Sequence, residues 1–124
     1  MQIDIKGRNA QVTNEIRAHI EKRFAKVAKQ VSELARLEVE LTKERNPAIA
    51  DSEVAEVTLH LKGVILRASD RSRDMTHSIN LCEQELARQV KRDRDKRRRR
   101  REARSGRVAR GVVGELPEGA SPAL

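Results

Sequence analysis

Lys22, Lys26 and Lys29 recur at spacings of four and three, which aligns three ammonium groups along one side of a helix. Arg88, Lys91 and Arg92 stand at helical spacing further along the chain, and Arg94 follows them into the run Lys96 to Arg101, five arginines of which are consecutive. Such groups hold anions: each donates charge-assisted hydrogen bonds to phosphate or carboxylate oxygens. Two basic rows side by side form a groove matched to a phosphate backbone, and this pairing carries the argument for RNA. A single row is also what an ordinary solvated helix face presents. The Arg97 to Arg101 run is less discriminating, being compatible with RNA binding, a nuclear localisation signal or a solvated helix end. Arg8, just past an opening strand, is a further candidate. The RNA-binding candidates are thus Arg8, Lys22, Lys26, Lys29, Arg88, Lys91, Arg92 and Arg94.

Other chemistry finds little support. His19, His60 and His77 have no spacing that builds a metal site with one another or with Cys82. Cys82 falls on an apolar helical stripe, where a cysteine is a small core residue rather than a nucleophile. Asp70 and Asp74 flank a helix start, where an acid is useful for capping alone. Ser-His-Asp patterns, phosphate-cradling glycine loops and paired carboxylates with a base are not seen. The expectation is a protein that is not an enzyme, with no cofactor, no metal and no small-molecule substrate.

The charge distribution sharpens the choice of partner. Residues 1–90 hold 15 Lys/Arg against 14 Asp/Glu, whereas residues 91–124 hold 12 against 5. Most of the net charge of +8 therefore sits at one edge of the chain, pointing to a polyanion met by one side of the protein. Phe24 is the single aromatic residue, which argues against binders that stack bases on aromatic platforms and favours contacts to phosphate and ribose. Neither a membrane-spanning run nor a signal-peptide core is visible, so no membrane partner is expected. The lone cysteine fits a reducing, cytoplasmic setting.

These side chains need elements to position them. Ile3 and Ile5 alternate with polar neighbours in a short strand, Met1 to Lys6, which Gly7-Arg8-Asn9 breaks. Thr13 is a helix N-cap with Glu15 in the first turn, and Ile16, Ile20, Phe24, Val27 and Val31 form the apolar stripe of a helix over Asn14 to Gln30. Leu37, Val39 and Leu41 alternate in a second strand, and Glu44 to Ser52, with Asn46-Pro47, reads as a loop. Val57, Leu59 and Leu61 give a third strand, and a tight Lys62-Gly63 turn leads to a fourth through Val64, Leu66 and Ala68. A last helix from Asp74 to Arg104 carries Met75, Ile79, Cys82, Leu86 and Val90 on one face, then the basic block. The order predicts a two-layer α+β domain, βαβββα, with a four-stranded sheet and both helices on one face. Glu38, Glu40, Thr58, His60 and Arg67 are left on the wet face. Residues 1–100 read as the domain. Residues 101–124 read as a basic segment followed by a Gly/Pro-containing disordered tail or linker.

The ordered set of Met1-Gln2-Ile3-Asp4-Ile5-Lys6-Gly7-Arg8-Asn9, Phe24-Ala25-Lys26-Val27 and Asp74-Met75…Ile79…Leu86-Ala87-Arg88-Gln89…Asp95-Lys96 resembles the ribosome hibernation-promoting factors over roughly residues 1–100. The resemblance implies a βαβββα fold related to the double-stranded RNA-binding domain. It also implies binding of the small ribosomal subunit, 16S-type rRNA and neighbouring ribosomal proteins, in the decoding region. Occupancy there excludes tRNA and mRNA, inhibits translation and holds ribosomes idle in stress or stationary phase. Longer family members add a C-terminal domain that pairs two ribosomes; no such sequence is read here, so a monomer is expected unless the chain belongs to a longer protein. Thr76 and Asn80 depart from the family pattern, where many members have an aromatic residue and an aspartate, and the arginine run is denser than usual.

Composition alone fits a second class equally well: a ribosome assembly factor, a structural rRNA-binding protein or a general duplex-RNA chaperone. A basic protein–protein adaptor is a third, weaker reading. Stoichiometry separates the first two, since a structural component is present on all ribosomes and a hibernation factor accumulates on idle ones.

Overall fold

The computed structural model describes the backbone of residues 1–113 and the side chains of residues 1–104. Residues Met1–Val90 form one compact unit, and the described residues from Lys91 onward belong to a second. The first unit ends at the last apolar residue of the final helix stripe, because beyond Val90 the next residues offer nothing to bury; the sequence reading drew the boundary at residue 100.

The elements of the first unit are β1 (Gln2–Arg8), α1 (Asn14–Arg23), α2 (Ala25–Gln30), β2 (Arg36–Lys43), β3 (Glu53–Leu61), β4 (Val64–Ser72) and the start of α3 (Met75–Val113). The sheet order is β1-β2-β3-β4. β1 runs parallel to β2, with α1 and α2 as the crossover, while the β2–β3 and β3–β4 pairs are antiparallel. The α+β, two-layer reading therefore holds.

Register puts every second residue into the core. Leu37 pairs with Leu59, Val39 with Val57, and Val57 in turn with Ala68, so one face of three strands is a continuous apolar surface. Ile20, Phe24 and Val27 from α1 and α2, and Ile79, Cys82 and Leu86 from α3, fill the same core and are at most 1% exposed. Thr13 caps α1 by accepting the Ile16 N–H at 3.2 Å, and Asp74 caps α3 by accepting the His77 N–H at 3.1 Å. Ser78, fully buried, is satisfied by donating to the Glu53 carbonyl at 2.7 Å, with the Ser72 hydroxyl also 2.7 Å from its own.

Three local details differ from the sequence reading. Gly7 and Arg8 continue β1 instead of breaking it, pairing with Leu41 and Thr42; the strand ends at Asn9, whose φ of 58° is left-handed. Gly7 is needed there because a Cβ would lie 2.3 Å from the Ala10 carbonyl oxygen. The single helix expected over Asn14 to Gln30 divides at Phe24, with φ −88° and ψ 3°. Phe24 is the largest fully buried side chain, and its backbone turns without breaking the ladder: its N–H still reaches the Ile20 carbonyl at 2.9 Å.

The third difference is the length of α3. The sequence reading ends it at Arg104 and treats the Ser105-Gly106 composition shift as the start of a tail without regular structure; the helical backbone runs to Val113. Gly106 and Gly111 weaken a helix by about 1 kcal/mol each without forbidding it, and the first proline downstream is Pro117. The rest of the expected tail, from Gly114, lies outside the described residues.

Candidate nucleic-acid interface

α1 and α3 lie side by side on the sheet and are tied by two polar bridges. His19 Nε2 is 2.7 Å from Asn80 Oδ1, and Arg23 Nε donates to Glu83 Oε1 at 3.0 Å. The bridges flank a cleft of about 440 Å³ lined by His19, Lys22, Arg23, Lys26 and Glu83. Helical spacing explains the set: residues 19, 22, 23 and 26 share the side of α1 and α2 next to the apolar stripe, so they meet α3 at the rim of the core.

Ion pairing sorts the candidate cations. Lys22, Lys26 and Lys29 are exposed and, among the described residues, make no ion pair. Arg88 is exposed too but is paired with Glu85 one turn earlier, and it does not line the cleft. Arg8 stands on the opposite side of the sheet, paired with Glu40 at 3.3 Å, so it does not join the helical row. β1 explains this: Ile3 and Ile5 point to the core, which turns Asp4, Lys6 and Arg8 to the other face. The structure therefore brings Lys22 and Lys26 together and separates Arg8 from them.

Three residues outside the RNA-binding candidates line the cleft: His19, Arg23 and Glu83. Arg23 directly follows Lys22 and precedes the buried Phe24, so it stands at the edge of the apolar stripe. Glu83, just 7% exposed, carried a usable signal: it is a carboxylate next to Cys82 on a face otherwise turned inward. Asn80, noted as a departure from the family pattern, is the partner of His19.

The described part of the second unit, taken by itself, is the continuation of α3 to Val113. Lys91, Arg92 and Arg94 are exposed and without ion pairs among the described residues. Further on, Arg97 pairs with Asp93 at 3.0 Å, and Arg98 with Asp95 at 3.7 Å and Glu102 at 3.8 Å. Such one-turn pairs support an exposed helix by a few tenths of a kcal/mol each. Residues 91–104 carry 10 Lys/Arg against 3 Asp/Glu, leaving a strongly positive helix.

Other titratable groups lie away from this cleft. On the wet sheet face His60 donates to Glu38 at 2.7 Å, with Arg36 at 3.7 Å from the same side chain. The His60 hydrogen bond, helped by the Arg36 charge, holds the Glu38 carboxyl below its ordinary range against the opposing effect of desolvation. Burial, reinforced by the charge of Asp70, pushes the Cys82 thiol up to about 12, and its Sγ lies 3.0 Å from the Ala55 carbonyl. A thiol so protonated is a poor nucleophile. Asp70 itself sits in β4, not at the helix start. His19, His60 and His77 are placed on three different elements, and among the described residues no group of three or more His, Cys, Asp or Glu is arranged to hold a metal ion. Among the same residues no helix is long and apolar enough to cross a membrane.

Known proteins are similar to this chain in sequence and fold. A ribosome hibernation promotion factor of Picosynechococcus is 32% identical over 97 residues, which are 77% of this chain and 50% of that protein. The chain thus spans about half the length of that relative. A ribosome hibernation promoting factor of Salmonella typhimurium is 32% identical over 96 residues, 77% of this chain and 96% of its own. The N-terminal domain of Thermus thermophilus Protein Y superposes with a TM-score of 0.63 at 28% identity, covering 74% of this chain and 98% of that one. Residues 3–98 match the family described as Sigma 54 modulation protein / S30EA ribosomal protein. With the fold, the strand order and the matched span in agreement, the chain belongs to the Sigma 54 modulation protein / S30EA ribosomal protein family.

Proposed function

We propose that this protein is a ribosome hibernation factor that binds the decoding region of the small ribosomal subunit and inhibits translation by occupying the space of tRNA and mRNA. The observation that carries the reading is the exposed row Lys22, Lys26 and Lys29 with no internal ion pair among the described residues, beside a cleft built by two rigidly bridged helices. Unpaired ammonium groups on a fixed scaffold bind phosphate with little reorganisation. The names of the relatives, both ribosome hibernation factors, point to the same partner. The basic continuation of α3 supplies sequence-independent attraction to rRNA.

The mechanism is steric and needs no chemistry at a reacting atom. The sheet and core fix α1 and α3, their basic side chains hold rRNA phosphates, and bound protein excludes the translation substrates. Co-sedimentation with purified 70S ribosomes at low and high salt, with an in vitro translation readout, tests it. Binding near one copy per ribosome with translation blocked is the expected result. Binding without inhibition means an assembly or structural role instead, and no binding at low salt removes the ribosome as partner.

A further inference from the structure

Glu83 poses a puzzle for a cation-lined cleft. The Glu83 side chain, 10% exposed, lines the cleft with Lys22, Arg23 and Lys26, where it subtracts a charge from the side meant to attract phosphate. Simple electrostatics says that the cleft would bind RNA better without it.

The geometry gives Glu83 another task. It accepts from Arg23 at Nε, the inner nitrogen of the guanidinium, at 3.0 Å. Among the described residues no other hydrogen bond or ion pair engages the Arg23 side chain, so its two terminal amino groups keep all four of their N–H donors. The Arg23 side chain is 35% exposed and lines the cleft with Lys22 and Lys26. A guanidinium pinned by Nε to a buried anion has its planar fork set in one orientation, which lowers the entropy lost when it grips a phosphate. The His19–Asn80 contact at 2.7 Å provides a second tie between the helices, so the distance across the cleft is fixed as well.

We propose that Glu83 is a positioning residue of the RNA-binding cleft: it holds Arg23 so that the free edge of its guanidinium, flanked by Lys22 and Lys26, forms a seat for one RNA backbone phosphate. This rests on the RNA-binding reading above and extends it to two residues outside the lysine row. Arg23 is the bidentate element of the seat, and the lysines act as point charges on either side. Glu83 itself never touches the RNA.

The sign of one substitution tests this. Affinity for purified bacterial small ribosomal subunits is measured at fixed salt for wild type, Glu83→Ala, Glu83→Gln, Arg23→Ala and the Glu83→Ala/Arg23→Ala pair, with circular dichroism melts as a folding check. Glu83→Ala raises the net charge by one, yet its affinity is expected to fall about five- to tenfold, the scale of one charge-assisted contact. Glu83→Gln keeps an acceptor for Nε and is expected to lie between Glu83→Ala and wild type. With Arg23 already removed, Glu83→Ala is expected to leave affinity unchanged or raise it, because only the electrostatic effect remains. That reversal of sign is something that a merely structural role for Glu83 does not produce. Equal or tighter binding by folded Glu83→Ala, or the same loss with and without Arg23, overturns the positioning role while leaving the RNA-binding reading intact. Should Glu83→Ala fail to fold, Glu83→Gln decides alone: equal or tighter binding overturns the proposal. Failure of wild type to bind at all overturns both.

Discussion

Replacing Lys22, Lys26 and Lys29 together by alanine separates electrostatic capture of RNA from every other role of α1 and α2. All three side chains are exposed, and none makes an ion pair among the described residues, so folding stability should change by no more than about 0.5 kcal/mol. Binding should change much more. Lys22, Lys26, Lys29, Lys91, Arg92 and Arg94 are the candidate cations without an internal partner among the described residues. If each neutralises one phosphate, the logarithm of affinity falls with the logarithm of salt at a slope of about −5.4, or about 1,800-fold between roughly 50 and 200 mM. Removing three of the six brings the slope to about −2.7 and the loss over the same range to about fortyfold. The assay is fluorescence anisotropy of labelled protein titrated with small ribosomal subunits at four or five salt concentrations. Arg8→Ala is the control, because Arg8 is held by Glu40 on the far side of the sheet and should leave the slope where it was. A triple variant with an unchanged slope, or an Arg8→Ala variant that loses as much as the triple, would refute the assignment of the helical lysines to the interface.

Three further expectations concern the scaffold. Cys82 ionises near 9.0 when exposed and near 12 in the core, so above pH 9 the unfolded chain has lost a proton that the native state keeps, and stability falls as pH rises. At pH 10 this costs about 1.4 kcal/mol, seen in urea titrations as an alkaline loss that Cys82→Ala lacks, and native Cys82 should resist iodoacetamide until the protein unfolds. Glu38 has the opposite sign: its carboxyl is lowered from 4.5 in the native state, so its contribution is complete above that value and disappears as pH falls through the native one; thermal melts of Glu38→Gln should show a shallower acid slope than wild type. Phe24→Ala empties the largest fully buried site at the α1–α2 turn and should cost about 3–5 kcal/mol in urea denaturation, and a loss below about 1 kcal/mol would mean that the turn is not anchored by this ring.

The order of elements was legible because period 2 and period 3.6 are both local. Leu37, Val39 and Leu41 declare a strand, and Met75, Ile79, Cys82, Leu86 and Val90 a helix, whatever lies around them. Thr13 and Asp74 could be read as caps for the same reason, since a cap bonds to a backbone N–H only three residues away. The Phe24 turn could not, because no glycine or proline marks it; the residue at the turn is a fully buried side chain of the helical stripe.

Sequence also determined where cations stand along each helix, and hence the lysine row. Its partners across space were decided by tertiary structure. Arg8 went to the far face because the β1 pleat turns it there, and Arg23 was drawn into the cleft because Glu83, sixty residues away, lies opposite it on α3. Charge is written residue by residue, but whether a charge is spent inside the protein or left for a partner depends on distances of a few ångströms between elements far apart in the chain. A one-dimensional pattern contains no such distance, and only the packing of α1 and α3 on a common sheet supplies it.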